Sequence, residues 1–209
     1  MIVLTTPISI INEIETIHAL FEEGLELLHV RKPDFSAVQM QSFLSEIKSD
    51  FKQQLVLHSH HQLASVFGID RIHFTEKNRY SMIESPTRFS KPCRYSLDNY
   101  KQDGFILSTS THNIADFNAL SDVFEYAFLS PVFKSISKEN YAPTIDYTTE
   151  LRKRTNYKTK LIAVGGLAFE NCKKALEYGF NDVALLGSIW NSSEPIENFK
   201  TCQQIVHSY

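Results

Sequence analysis

Apolar residues in this chain gather in short aliphatic or β-branched runs, and between the runs they recur at helical spacing. Eight runs have the length and composition of strands: Ile2–Thr5, Glu26–Arg31, Gln54–His58, Arg71–Phe74, Gly104–Ser108, Tyr126–Leu129, Lys160–Val164 and Asp182–Leu186. Ile10, Ile14, Ile17 and Phe21 share one face of a helix that Gly24 closes before the second strand. Ala37, Met40, Leu44 and Ile47 repeat that pattern, with Ser36 placed to cap the helix start. Ile196, Phe199 and Val206 predict a last amphipathic helix entered through Ser193, Glu194 and Pro195, the proline suiting its first turn. The stretch from Asn78 to Asn99, which holds Pro86, Pro92 and several aromatics, predicts only short helical or irregular structure.

Strands that alternate with helices predict a parallel sheet. With no linker-like shift in composition and no repeat, residues 1–209 read as one domain, a single (β/α)8 TIM barrel. An open doubly wound sheet is the other arrangement of eight such strands. Its dinucleotide-binding form carries Gly-x-Gly-x-x-Gly after the first strand, where this chain has Thr5-Thr6-Pro7. The last two strands both run into glycine, at Gly165-Gly166 and at Gly187-Ser188. In a barrel these are the turns whose backbone N–H groups and helix N-terminus receive a phosphate. Tight turns at positive φ are the conformational alternative for the same glycines.

The 43% hydrophobic and 22% charged content is that of an ordinary globular protein. A net charge of −3 offers no clustered positive charge for nucleic acid. No apolar run approaches a bilayer span, and the N-terminal residues do not form a secretory pattern, so a cytoplasmic location is expected. Cys93, Cys172 and Cys202 are odd in number and widely spaced, as reduced thiols would be.

In a barrel, chemistry belongs at the C-terminal strand ends. Those ends carry His29, Arg31 and Lys32; His58, Ser59, His60 and His61; His73, Thr75, Glu76 and Asn78; Ser108 to His112; and Lys134, Ser135, Ser137 and Lys138. Hydroxyls, an arginine and lysines around glycine amides make a site for a phosphorylated small molecule. Away from strand ends, Arg31 and Lys138 would read as solvated surface charges. On an extended strand His58 and His60 would share a face, with Ser59 on the other. Their spacing matches no standard zinc motif and no cysteine lies near, so no metal ligands are assigned. A single histidine facing the barrel suits acid–base work, although each also has a reading as a hydrogen-bonded core residue. Asp34 and Glu76 are the candidate carboxylates, on different strands and unmatched.

Several segments together resemble the thiamine phosphate synthase superfamily, which includes the TenI-type thiazole tautomerases. His29-Val30-Arg31 resembles its strand-two Gln/His-x-Arg, and Asp70-Arg71-Ile72-His73 its Asp-Gly-Val-His. Ser110-Thr111-His112 resembles its Ser-x-His/Thr segment. Ser130-Pro131-Val132-Phe133 with Ser135, Ser137 and Lys138 resembles Gly-Pro-Ile-Phe-x-Thr-x-Thr-Lys. Ala163-Val164-Gly165-Gly166 resembles Ala-Ile-Gly-Gly, and Asp182-Val183-Ala184 sits in the final strand pattern.

The resemblance implies a barrel, usually homodimeric, that joins an aminopyrimidine methyl diphosphate to thiazole phosphate with Mg²⁺ and no organic cofactor, yielding thiamine phosphate and diphosphate. It implies that Gly165, Gly166, Gly187 and Ser188 hold the thiazole phosphate and that Ser135 and Ser137 lie near the thiazole. Lys138 and Arg31 would face the diphosphate, with Ser110 and His73 beside the pyrimidine and His29, His58, Ser59 and Asn78 among the binding residues. The chain departs from the pattern at both metal carboxylates. Where the synthase has Asn-Asp after strand three this chain has His58-Ser59, and where it has a second aspartate after strand four stands Asn78. The lysine two positions after the strand-two arginine is Pro33, with Lys32 adjacent. The tautomerase histidine is Pro131. A TenI-like tautomerase and a non-catalytic binding protein for thiazole or thiamine phosphate are therefore the alternatives. A more distant one is another phosphate-binding barrel enzyme, acting on a sugar or amino-acid precursor.

Overall fold

The computed structural model describes residues 1–83, 96–134 and 146–209. Eight parallel strands close into a barrel in sequence order: β1 (Ile2–Leu4), β2 (Leu27–Val30), β3 (Leu55–Leu57), β4 (Arg71–Phe74), β5 (Ile106–Thr111), β6 (Phe124–Leu129), β7 (Lys160–Val164) and β8 (Asp182–Leu185). β8 pairs with β1, so no open edge remains and the doubly wound alternative is excluded. Ten α-helices surround the strands among the described residues: α1 (Glu13–Glu22), α2 (Ala37–Glu46), α3 (Ala64–Phe67), α4 (Glu76–Ile83), α5 (Leu97–Gln102), α6 (Ile114–Asn118), α7 (Tyr147–Glu150), α8 (Phe169–Tyr178), α9 (Gly187–Trp190) and α10 (Pro195–His207). No helix of the described residues is long and apolar enough to cross a membrane.

Strand alternation divides the apolar residues into two separate cores. Val3, Leu28, Leu55, Leu57, Ile72, Leu107, Ala127, Leu161 and Val183 face outward and pack with the helices. Ile2, Leu4, Tyr126, Phe128, Ile162 and Ala184 face inward and pack with one another. The buried members of this inner core all come from β1 and β6–β8, with partly buried Leu27 of β2 packed against them. The facing wall, β2 to β5 and the residue after β3, carries buried His29, His58, His73 and Ser108 beside Val56.

Most of the expected elements are present, with shifts that have local causes. Ser36 forms a capping box with Gln39 at the start of α2, and Pro195 occupies the first turn of α10. β5 begins at Ile106 and runs to Thr111, later than Gly104–Ser108, because Gly104 turns the chain at φ +87° after α5. The strand therefore includes Ser110. α1 begins at Glu13 rather than near Ile10; Asn12 is left-handed at φ 60°, and Ile10 and Ile11 are exposed. Helical structure flanks the irregular stretch at α4 and α5, while residues 84–95, including Pro86, Pro92 and Cys93, lie outside the described residues. Cys172 and Cys202 are buried free thiols on α8 and α10.

What holds the start of α1 is Lys32, which leaves the mouth ring expected of it and is fully buried. Its Nζ donates to both carboxylate oxygens of Glu13 at 2.6 Å and to the Ile8 carbonyl at 2.9 Å, and lies 5.1 Å from the ring centre of Phe43. Burial is the largest influence on both groups, raising the Glu13 pKa and lowering that of Lys32, so their attraction does not fully offset desolvation. Lys32→Met alone should therefore cost about 3–5 kcal/mol by leaving Glu13 buried and unpaired. Lys32→Met combined with Glu13→Leu should recover most of that loss in urea unfolding; equal destabilisation of the single and double variants would refute this account.

Candidate active site

A cavity of about 610 Å³ opens at the C-terminal ends of the strands, where a barrel places its chemistry. One wall is the turn after β7. Gly165 and Gly166 adopt φ +97° and +70°, and the turn lies against the segment that follows β6. Val132 N–H donates to Val164 O and Phe133 N–H to Gly165 O, each at 3.0 Å. A Cβ on Gly166 would meet the Lys134 carbonyl oxygen and lie 2.7 Å from the Phe133 carbonyl carbon. The conformational alternative for these glycines is thus realised, whatever ligand they receive. Asn171 braces the same turn by donating to Gly166 O at 2.8 Å and accepting from Ala168 N–H at 2.9 Å.

The adjacent wall is the start of α9. Its first bond runs from Ile189 N–H to Leu186 O at 3.1 Å, so the amides of Gly187 and Ser188 precede the ladder. Gly187 lines the cavity. Ser188 is buried, and its hydroxyl has no hydrogen-bond partner among the described residues. Trp190 closes this side, its indole N–H donating to Leu4 O at 2.6 Å.

Arg31, His58, Glu76, Ser110 and His112 line the remainder. Arg31 is held through its backbone: its N–H donates to Thr5 Oγ1 at 2.9 Å, and Thr5 Oγ1 donates back to Arg31 O at 3.3 Å. Glu76 lies 3.9 Å from the guanidinium of Arg79, which is 3% exposed and donates to Ser110 O at 3.0 Å. With Glu76 so paired, Arg31 is the free cation of the cavity lining among the described residues, and the field there favours an anion.

Below the cavity, inward side chains of β2 to β6 form a hydrogen-bonded layer. His29 Nδ1 is 2.9 Å from His58 Nε2, and His29 Nε2 is 2.8 Å from the Tyr126 hydroxyl. His73 lies between two serines, with Nδ1 2.9 Å from Ser108 Oγ and Nε2 2.8 Å from Ser110 Oγ. His58 and His73 stack with ring centres 4.1 Å apart, and Phe128 lies over both His29 and His73. Burial, reinforced by nearby positive groups, holds His29 and His58 well below the ordinary imidazole range and His73 at about 3, so all three are neutral at pH 7.

The expected site residues therefore fall into groups. Arg31, His58, Ser110, Gly165, Gly166 and Gly187 come together around the cavity. His29 and His73 lie beneath it, and the unpartnered Ser188 is beside it. Ser59 and Asn78 do not line it: the Ser59 hydroxyl is buried without a partner, and Asn78 is exposed on α4. Ser135, Ser137 and Lys138 lie outside the described residues. His60 does not share a strand face with His58, because β3 stops at Leu57 and His60 turns left-handed at φ 54°, reaching the Phe35 carbonyl at 2.7 Å. Sequence reasoning missed Arg79, Tyr126, Asn171 and Trp190. Arg79 had a visible signal, since it stands one helical turn after Glu76.

The fold and cavity define a (β/α)8-barrel protein whose mouth pairs glycine turns with an isolated arginine. The thiamine monophosphate synthase family model matches residues 1–189, and the chain belongs to that family. It is 24% identical over 202 residues to a thiamine-phosphate synthase from Caldicellulosiruptor saccharolyticus, covering 95% of this chain and 86% of the relative. A thiamine phosphate pyrophosphorylase structure from Bacteroides thetaiotaomicron superposes with a TM-score of 0.74 at 26% identity, over 99% of this chain and 97% of that one. A 3-hexulose-6-phosphate synthase from Salmonella typhimurium, at 13% identity, shares the fold with a TM-score of 0.71, over 99% and 98% of the two chains.

Two outcomes test the local chemistry. Gly166→Ala should lower stability by ~3 kcal/mol, from left-handed strain plus the collision with residues 133–134, without any ligand present. An unchanged denaturation midpoint would contradict that packing. His61 packs against Phe74 with its Nε2 unpartnered, and burial lowers its pKa from 6.5 to about 4. The unfolded chain takes up this proton first, so stability present above pH 6.5 is lost as pH falls towards 4. Relative to His61→Phe, the parent chain should lose up to about 3 kcal/mol more across that window; parallel pH profiles would refute the assignment.

Proposed function

We propose that this chain couples thiazole phosphate to an aminopyrimidine methyl diphosphate, forming thiamine phosphate and diphosphate. The observation that carries the proposal is the cavity, which sets the Gly165-Gly166 turn and the opening of α9 around the same space as Arg31, in a chain of the thiamine monophosphate synthase family. The thiazole phosphate sits on the amides of Gly166, Gly187 and Ser188, with Ser135 and Ser137 beside the ring. Arg31 and Lys138 bind the diphosphate of the other substrate, and Ser110 contacts the pyrimidine. His73 is neutral and hydrogen-bonded to Ser110, so it orients that hydroxyl and adds no charge.

In this reaction the bond between the pyrimidine methylene and the diphosphate oxygen breaks, and the electron pair leaves on diphosphate. The thiazole nitrogen then donates its lone pair to the methylene. The chain's contribution is to hold the two centres in line and to neutralise the departing charge with guanidinium and ammonium groups. The curated relatives are named as synthases, which favours coupling over tautomerisation or simple binding.

Mg²⁺, which the family uses, does not fit the residues present. Among the described residues Glu76 is the sole carboxylate lining the cavity, and it faces Arg79. Ser59 and Asn78, which stand where the synthase has aspartates, do not line the cavity, whereas Mg²⁺ is ordinarily held by carboxylates together with substrate phosphates.

The test is formation of thiamine phosphate from the two substrates, in Mg²⁺ and in EDTA. Product should form in both, with rates within about 10-fold. Arg31→Ala and Lys138→Ala should each lower kcat/KM by roughly 100-fold, mainly through kcat. A strict requirement restored by Mg²⁺ alone would show that the chain holds that ion after all. No product alongside saturable thiazole phosphate binding would reassign the protein to a binding role.

A further inference from the structure

His29 of β2, His58 just beyond β3 and His73 of β4 each have a ring nitrogen within 4.8 Å of the other two. All three are buried, and they are the only such group of histidine, cysteine or carboxylate ligands among the described residues. We propose that these imidazoles form a binding site for a divalent transition-metal ion of the zinc class, at the floor of the cavity, with a further coordination position open to the cavity.

The donor chemistry selects the ion. Three neutral nitrogens without a carboxylate suit zinc, cobalt, nickel or copper and not magnesium or calcium.

The surroundings fit as well. A tetrahedral ion with metal–nitrogen bonds near 2.0–2.1 Å places its ligand nitrogens roughly 3.3 Å apart. The His29–His58 nitrogen pair, at 2.9 Å, need open only by a few tenths of an ångström, whereas His73, stacked on His58 with ring centres 4.1 Å apart, must turn out of that stack to share the ion. Metal-bound imidazoles usually hydrogen-bond through the other ring nitrogen. Here His29 has the Tyr126 hydroxyl at 2.8 Å, and His73 faces a serine hydroxyl at each nitrogen, so one serine remains whichever nitrogen binds. Access exists because His58 itself lines the cavity. The competing arrangement is a metal-free chain in which Tyr126, His29 and His58 bond only to one another.

The experiment is direct metal titration of the full chain after chelator stripping and dialysis, independent of turnover. Zn²⁺ should bind at one equivalent with sub-micromolar affinity by calorimetry, and excess Mg²⁺ should not displace it. Co²⁺ should give the strong visible absorption of a tetrahedral site, and Cu²⁺ should show coupling to three nitrogens by electron paramagnetic resonance. His58→Asn should weaken Zn²⁺ binding by roughly 100-fold or more, and Tyr126→Phe by about 10-fold, while His60→Asn leaves it unchanged. Absence of a saturable one-equivalent site would overturn the proposal. So would one that survives both His58→Asn and His29→Asn, since the ion would then lie on surface histidines. If a variant fails to fold, the nitrogen count in the parent chain decides: fewer than three coupled nitrogens rejects the site.

Discussion

Closure of eight parallel strands obliges every second side chain to fit inside one ring, and the rest of this structure follows from how that space is filled. β1 and β6–β8 fill it with aliphatic and aromatic groups. β2 to β5 add Leu27 and Val56 but place imidazoles and hydroxyls nearer the mouth, and these are costly to bury unless each finds a partner. The barrel meets that demand across strands: His29 to His58 and Tyr126, His73 to Ser108 and Ser110. The polar layer is thus part of the core and the support for the cavity above it. Phe128 joins the two halves by packing over His29 and His73.

The mouth is built on a second constraint, close approach of backbone. The turn after β7 lies against residues 131–134 so tightly that Gly165 and Gly166 are required for packing alone. This changes what a glycine in such a turn signifies. Its presence does not by itself report a phosphate; the cavity, the amides that open α9 and the isolated Arg31 together make the anion argument. Lys32 illustrates the converse, because a cation next to Arg31 in sequence is spent wholly on anchoring the loop that leads into α1.

Much of the architecture was legible because strand and helix periods are local. The rhythm of apolar runs located the strands, and the caps at Ser36 and Pro195 marked helix starts. The errors arose where a local period was extended past its end. Ile10 continued the α1 spacing but lies before the left-handed Asn12. His60 continued the β3 alternation but lies beyond the strand. β5 starts later than its apolar run suggests, because Gly104 turns the chain at the end of α5.

By itself, the sequence determined the parallel barrel, the order of its strands and the set of residues at their C-terminal ends. These depend on hydrophobic period and on glycine, which act between residues close in the chain. Only the tertiary structure decided which of those residues meet. Strand register brought His29, His58 and His73 together although 29 and 15 positions separate them along the chain. It also turned Lys32 away from the mouth towards Glu13. Pairing across a closed sheet depends on stagger and side-chain direction, and neither is recorded in the spacing of residues along one strand.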